Sequence, residues 1–156
     1  MRTVAPALPC DTNLIQPASW RDMGALRHLE QVCFPKDSWP LLDLIGVLTL
    51  PNIVRLKALC NELMVGFVAA EIKRSERAVW IATIGVLPEY RRRGTGAALL
   101  QAVEAGTDLP CIKLNVRSSN LPAIRLYEDL GYRRSKTWYR YYQDGEDALV
   151  FKKSLL

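Results

Sequence analysis

Residues 85–104 read GVLPEYRRRGTGAALLQAVE. The stretch begins apolar, breaks at Pro88, runs through Arg91, Arg92 and Arg93 and a Gly94-Thr95-Gly96, then resumes as a helix. A helix start exposes unpaired backbone N–H groups and the positive end of the helix dipole, so it suits a phosphate. Gly94 and Gly96 remove the Cβ atoms that would hold a phosphate off the backbone, and glycine also permits the φ > 0 geometry of an anion-binding nest. Two familiar phosphate loops are excluded. Leu99 stands where the third glycine of G-x-G-x-x-G belongs, and no G-K-[ST] follows for a P-loop. From spacing alone, a solvated basic turn ahead of an amphipathic helix fits equally well.

Upstream of this turn, NLIQPAS reads as a short first strand, preceded by a Pro-containing leader of about a dozen residues (1–12) expected to be flexible. Ser19 caps a helix with Met23, Leu26, Leu29, Val32 and Cys33 at helical spacing, closed by Pro35. A second helix over about 39–49 presents Leu41, Leu44, Ile45 and Leu48 before Pro51. The period then changes: IVRLKALC, a turn at Asn61-Glu62, LMVGFVAAEIKR, a turn around residues 75–77 and AVWIATIGVL form an antiparallel meander. Downstream come a helix (94–105), a strand (111–117), a helix (122–130), a strand (132–142), a turn at Asp144-Gly145 and a last strand (148–153). The order β-α-α-β-β-β-α-β-α-β-β predicts an α+β fold, a mixed, mostly antiparallel sheet of about seven strands flanked by about four helices.

With 156 residues, 49% of them hydrophobic, a single domain over 13–156 is expected. Twenty-one Lys and Arg against sixteen Asp and Glu give a net charge of +5. That favours anionic partners but is too modest for a nucleic-acid protein, whereas a phosphorylated cofactor would suffice. The four cysteines are widely spaced with no C-x-x-C pair, and there is one His, so neither a zinc site nor a disulfide framework is suggested. A cytoplasmic location is the simplest reading. The richest apolar segment, PLLDLIGVLTLP, contains Asp43 and is too short to span a bilayer, so no membrane association is expected.

GVLPEYRRRGTGAALL resembles the acetyl-CoA motif of the GNAT superfamily of N-acetyltransferases, V-x-P-x-[YF]-[QR]-x-x-G-x-[GA], with Arg91, Gly94 and Gly96 at its three fixed places. LNVRSSNLPAIRLYEDLGYRR is similar to the downstream segment of that family. RYYQDGEDALVFKKSL is similar to the closing segment of its N-terminal protein acetyltransferases, a group that includes the bacterial ribosomal-protein-alanine N-acetyltransferases. The match is strong over 79–154 and rests on element order alone over 13–75.

The resemblance implies acetyl-CoA as co-substrate, with no metal. Backbone groups of Ile84, Gly85 and Val86 would hold the pantetheine arm, and backbone amides across Arg91, Arg92, Arg93, Gly94, Thr95, Gly96 and Ala97 the pyrophosphate. Asn120 matches a cofactor-contacting Asn, although a plain N-cap also explains it. Tyr127 matches the tyrosine near the thioester sulfur, where a departing thiolate needs a proton donor; the plainer reading is a core aromatic. Asn115 stands where the bacterial enzymes carry a glutamate base, and an amide cannot take the proton. The base is then a water ordered by Asn115, or Asp37 in CFPKDSW; His28, alone within a helix, reads as structural.

A weak base suits an α-amine. Its pKa of about 7.7–8.0 against about 10.4 for lysine is worth about 3.5 kcal/mol in available neutral amine. Tyr141 and Tyr142, followed by Glu146 and Asp147, resemble the tyrosine pair and acidic turn that line the peptide path in N-terminal acetyltransferases, though a hairpin with solvent-facing tyrosines explains the turn as well. The implied partner is a protein or peptide N-terminus, with no nucleic acid, the enzyme being a monomer or weak dimer. The competing readings are a small-molecule amine or polyamine acetyltransferase and an acetyl-CoA-binding module that has lost catalysis.

Overall fold

The computed structural model describes residues 14–156; the expected leader, 1–12, lies outside them. Among the described residues there are seven strands and four α-helices: β1 (Leu14–Pro17), α1 (Met23–Cys33), α2 (Leu41–Thr49), β2 (Ile53–Cys60), β3 (Leu63–Lys73), β4 (Ala78–Val86), α3 (Thr95–Ala105), β5 (Cys111–Arg117), α4 (Leu121–Asp129), β6 (Arg133–Trp138) and β7 (Ala148–Ser154). The strands form one sheet in the order β1-β2-β3-β4-β5-β7-β6. Every neighbouring pair is antiparallel except β4 and β5. The expected α+β order holds throughout.

Local chemistry explains the joints. Ser19 Oγ accepts from the Arg21 amide and its own N–H donates to Asp22 Oδ2 at 2.8 Å, a reciprocal cap that starts the single 3₁₀ turn leading into α1. Asn61 and Glu62 both adopt positive φ (49° and 69°), the two-residue turn whose twist matches a right-twisted hairpin.

Two apolar layers flank the sheet. On one face Leu99, Leu100 and Val103 of α3 and Tyr127 of α4 pack on Val68, Val79, Leu114 and Phe151; on the other Leu26, Leu29, Leu44 and Leu48 of α1 and α2 pack on Met64, Phe67 and Ala69. Four sequence readings need correction. On α2 the buried positions are Leu44, Val47 and Leu48, while Leu41 and Ile45 face outward, because the buried stripe is turned by one position. On α1 Val32 is exposed and Glu30 is buried. β6 ends at Trp138 rather than at residue 142, its chain leaving the ladder for a loop. Cys60 is disulfide-bonded, which the wide cysteine spacing did not suggest.

No helix among the described residues is long and apolar enough to cross a membrane. One irregularity positions the site. Ala69 pairs with Thr83 and Ala70 with Ile81, so Ala82 is an extra residue that bulges β4. A bulge bends its strand, and β4 pairs with β5 only at Val79–Ile112 and Trp80–Lys113. Beyond them the two parallel strands diverge.

Candidate active site

The gap between β4 and β5 opens into a cavity of about 350 Å³. Thr83 and Ile84 line it from β4, Leu114 to Arg117 from β5, Asn120 and Tyr127 from α4 and its cap, Asp37 from the α1–α2 turn, and Tyr141 and Tyr142 from the loop before β7. Seven of the residues singled out from the sequence thus meet in one place: Asp37, Ile84, Asn115, Asn120, Tyr127, Tyr141 and Tyr142.

The arginine and glycine turn stands apart from this cavity, at the end of β4. Gly94 is the N-cap of α3 at φ +79°, and Arg92 is also left-handed at φ +62°, the irregular backbone of a nest. The N–H groups of Thr95, Gly96 and Ala97, in the first turn of α3, have no intrahelical acceptors, and among the described residues no side chain caps them. A Cβ on Gly94 would meet nothing within 4 Å, so the surface there is open. These features fit a pyrophosphate. Two residues have other tasks as well: Arg91 Nε donates to Val86 O at 2.9 Å, bracing the end of β4, and the buried Thr95 leaves only its backbone N–H for a ligand. Gly85 and Gly96 are packing glycines. A Cβ on Gly85 would lie 3.2 Å from both Leu29 Cδ2 and Phe34 Cε2, and one on Gly96 would lie 3.2 Å from Leu126 Cδ2.

At the cavity Tyr127 is buried, its ring centre 6.1 Å from that of Tyr132 in an edge-to-face pair, and burial pushes its phenol well above the ordinary range. The group therefore stays protonated at neutral pH, as a donor must. Asn115 Nδ2 donates to Tyr142 Oη at 3.2 Å, so the amide orients a tyrosine at the cavity wall. Asn120 Oδ1 accepts from the Ala123 amide at 3.3 Å while still lining the cavity, so both readings of this residue are compatible.

The mouth is held by Arg117. Its Nε and Nη2 bind both oxygens of Asp37 at 2.7 Å, and Nη1 binds Asp144 at 2.8 Å and Glu146 at 2.9 Å. Its guanidinium carbon also sits 4.1 Å from the centre of the Tyr142 ring. Hydrogen bonds from Ser119, together with Arg117, pull the Glu146 carboxyl down to about 2. Asp37 therefore enters the cavity as a clasped carboxylate.

Sequence reading missed three groups. Nothing local in LNVR marks Arg117, because its three carboxylate partners lie 27 to 80 residues away. Thr83 lines the cavity and donates its hydroxyl to Glu30 Oε1 at 2.8 Å. Glu30 is buried, its Oε2 has no hydrogen-bond partner among the described residues, and burial raises its carboxyl above the usual range. Its signal was present: position 30 lies four residues after Leu26, on the apolar stripe of α1.

The sequence profile of the Acetyltransferase (GNAT) family matches residues 24–132. The N-terminal acetyltransferase A complex catalytic subunit NAA10 of Arabidopsis thaliana is 29% identical over 148 residues, 90% of this chain and 77% of that protein. An N-alpha-acetyltransferase of Sulfurisphaera tokodaii is 43% identical over 79 residues, 48% of this chain, and the chain spans about half of that relative's length (47%). Among solved structures, the ribosomal-protein-S18-alanine N-acetyltransferase of Escherichia coli superposes with a TM-score of 0.83 at 27% identity, over 92% of this chain and 94% of that one. The chain belongs to the GNAT family of acetyltransferases.

Proposed function

We propose that this acetyltransferase transfers the acetyl group of acetyl-CoA directly to the α-amine of a protein or peptide N-terminus. The observation that carries the reading is the cavity at the β4–β5 opening, with Tyr127 and Asn115 inside and Tyr141, Tyr142 and the Arg117 clasp at its mouth. Acetyl-CoA supplies the activated carbonyl, with its pyrophosphate on the N-terminus of α3 and its arm along Ile84–Val86. A backbone N–H near Val86 stabilises charge developing on the carbonyl oxygen. Tyr127 donates a hydrogen bond to the departing sulfur. Its raised pKa lies above the ~8.5 of a thiol, so this hydrogen bond, rather than complete proton transfer, is its larger contribution. Asn115, fixed by Tyr142, orders the water that takes the amine proton. An α-amine near neutral pH is already partly unprotonated, which lowers the demand on that water.

A second reading, a polyamine acceptor, draws on the three carboxylates at the mouth, although all three are engaged by one arginine. CoA release with short peptides starting Ala, Ser or Met, beside an N-blocked lysine peptide and spermidine, separates the two. Release confined to free N-termini is expected; equal or faster release with spermidine or lysine refutes the proposal.

A further inference from the structure

A row of cations crosses the sheet. Lys113 on β5 is the register partner of Lys152 on β7, and Lys152 is the partner of Arg133 on β6. Directly paired residues share a face, and this is the face away from α3 and α4, since the alternating Ile112, Leu114 and Phe151 are buried on the other. Like charges directly opposite one another on adjacent strands repel. Among the described residues neither Lys152 nor Arg133 has an ion pair, and Lys113 lies over the Trp80 ring at 5.5 Å. Protection of an exposed edge accounts for Arg133 and Lys136 on the edge strand β6. It does not account for Lys113 and Lys152, which lie on interior strands.

An aromatic path joins this row to the cavity. Tyr142, at the cavity wall, meets Tyr141 at 5.1 Å between ring centres, Tyr141 meets Trp138 at 5.2 Å, and Trp138 stacks on Trp80 at 5.7 Å. Lys136 stands 5.6 Å from the Trp138 ring, and Lys73 5.6 Å from that of Trp80. A carboxylate already rests on this face: Glu76 accepts from Trp80 Nε1 at 2.7 Å, and that bond, followed by the charges of Lys73, Lys113 and Lys136, holds its carboxyl low. Glu71 lies 3.9 Å from Lys73. Lys113, Lys136, Lys152 and Arg133 still outnumber the acids.

We infer that the Lys113–Lys152–Arg133 row and the Trp138–Trp80 stack form a docking track for the downstream part of the acceptor polypeptide, selecting carboxylate side chains several residues beyond the acetylated amine. The inference rests on the N-terminal acceptor reading. Lys113 precedes the clasp residue Arg117 by four positions on β5. At ~3.3 Å per residue that is roughly 13 Å, the reach of about four extended residues of a bound chain. The surface thus matches a peptide whose ammonium end enters the cavity past an acidic mouth and whose carboxylates follow. A nucleic acid fits less well, because Trp80 and Trp138 spend ring faces on each other at an interplanar angle of 19°, where base stacking needs them free.

The test uses the full chain and three peptides sharing their first three residues, followed by Glu, Gln or Lys at about positions four to seven. KM and kcat are read by CoA release for wild type and for the triple variant K113Q/K152Q/R133Q. KM for the Glu peptide is expected to be about tenfold below that for the Gln peptide, the scale of three exposed ion pairs, with kcat unchanged. The difference should vanish in the variant and at high salt. The variant should melt no lower than wild type, since it relieves repulsion. Equal KM values, or an acidic preference that survives in the variant, overturn the track. An N-acetylated, fluorescein-labelled Glu peptide, followed by anisotropy, reads docking without turnover. If no free N-terminus is acetylated, the acceptor reading fails, and failure of this labelled peptide to bind separately removes the track. Row-dependent binding of a single-stranded oligonucleotide, with none of the acidic peptide, would assign the face to nucleic acid instead.

Discussion

Arg117 Nε and Nη2 each lie 2.7 Å from an oxygen of Asp37, a residue 80 positions earlier in the chain. The same guanidinium reaches Asp144 and Glu146 through its third nitrogen, so one side chain fastens the α1–α2 turn and the loop before β7 to β5. The tyrosines at the cavity mouth are carried by the loop that this clasp fixes.

Replacing Arg117 by lysine keeps the charge and removes the planar fork that matches a carboxylate. For R117K we expect KM for free-N-terminal peptides to rise about tenfold, with kcat within about twofold and KM for acetyl-CoA unchanged. Steady-state kinetics with both substrates varied would read this, and an unchanged peptide KM would dismiss the clasp as a determinant of acceptor binding.

The clasp also has a pH signature. Glu146 titrates at about 2 in the fold against 4.5 for the ordinary group. A depressed folded pKa contributes stability that is complete above the unfolded value and is lost as pH falls from about 4.5 toward 2. Thermal melts over that window should show a steep loss for wild type. E146Q should be less stable near neutral pH and show a shallower acid limb; parallel curves would rule the linkage out.

In the proposed reaction Tyr127 donates to the departing sulfur. Y127F should lower kcat roughly 10²-fold and leave the calorimetric affinity for acetyl-CoA within about twofold. Because burial holds the phenol protonated, the wild-type rate should show no alkaline loss from this group across neutral pH. A Y127F enzyme with wild-type kcat would return Tyr127 to the role of a core aromatic.

The two kinds of glycine at the end of β4 and the start of α3 should separate on substitution. G94A places an alanine at φ +79° with free space around its Cβ. The left-handed strain is worth about 1–2 kcal/mol, and relaxing it disturbs the nest, so acetyl-CoA affinity should fall more than stability. G85A instead drives a methyl against Leu29, Cys33 and Phe34, an overpacking worth about 1–3 kcal/mol. It should lower the melting temperature first. Equal effects of the two variants on both readouts would contradict the distinction.

Glu30 has the opposite sign from Glu146. Burial raises its folded pKa, so its stabilising contribution is complete below about pH 4.5 and is lost as pH rises through the folded value. E30Q retains an acceptor for the Thr83 hydroxyl and cannot ionise. Its melting temperature relative to wild type should therefore climb with pH; a constant difference would show that Glu30 stays neutral throughout or is compensated by another group.

The element order and the left-handed glycine turn before α3 were legible in the chain because each is a local property. Apolar period, Ser19, the Asn61-Glu62 turn and Gly94 act over a few residues. Tyr127 and Asn115 fall at fixed places in a familiar motif, and the fold brings both to one cavity. Arg117 and Thr83 were not legible, since a clasp or a buried hydrogen bond is defined by its partners, and those partners are 27 to 80 residues distant. The place of Glu30 on the apolar stripe of α1 is legible, but its tie to Thr83 on β4 is not.

The sequence by itself determined the helices, the strands and the glycine turn before α3, which are short-range consequences of side-chain spacing and backbone freedom. Tertiary structure alone decided where the cavity sits and what lines it. The extra residue Ala82 bends β4, pairing with β5 stops after Trp80, and the opening between them gathers residues from β4, β5, α4 and two loops around one cavity. It likewise set Lys113, Lys152 and Arg133 side by side, because register between strands is fixed by which faces are buried, and no single strand carries that information.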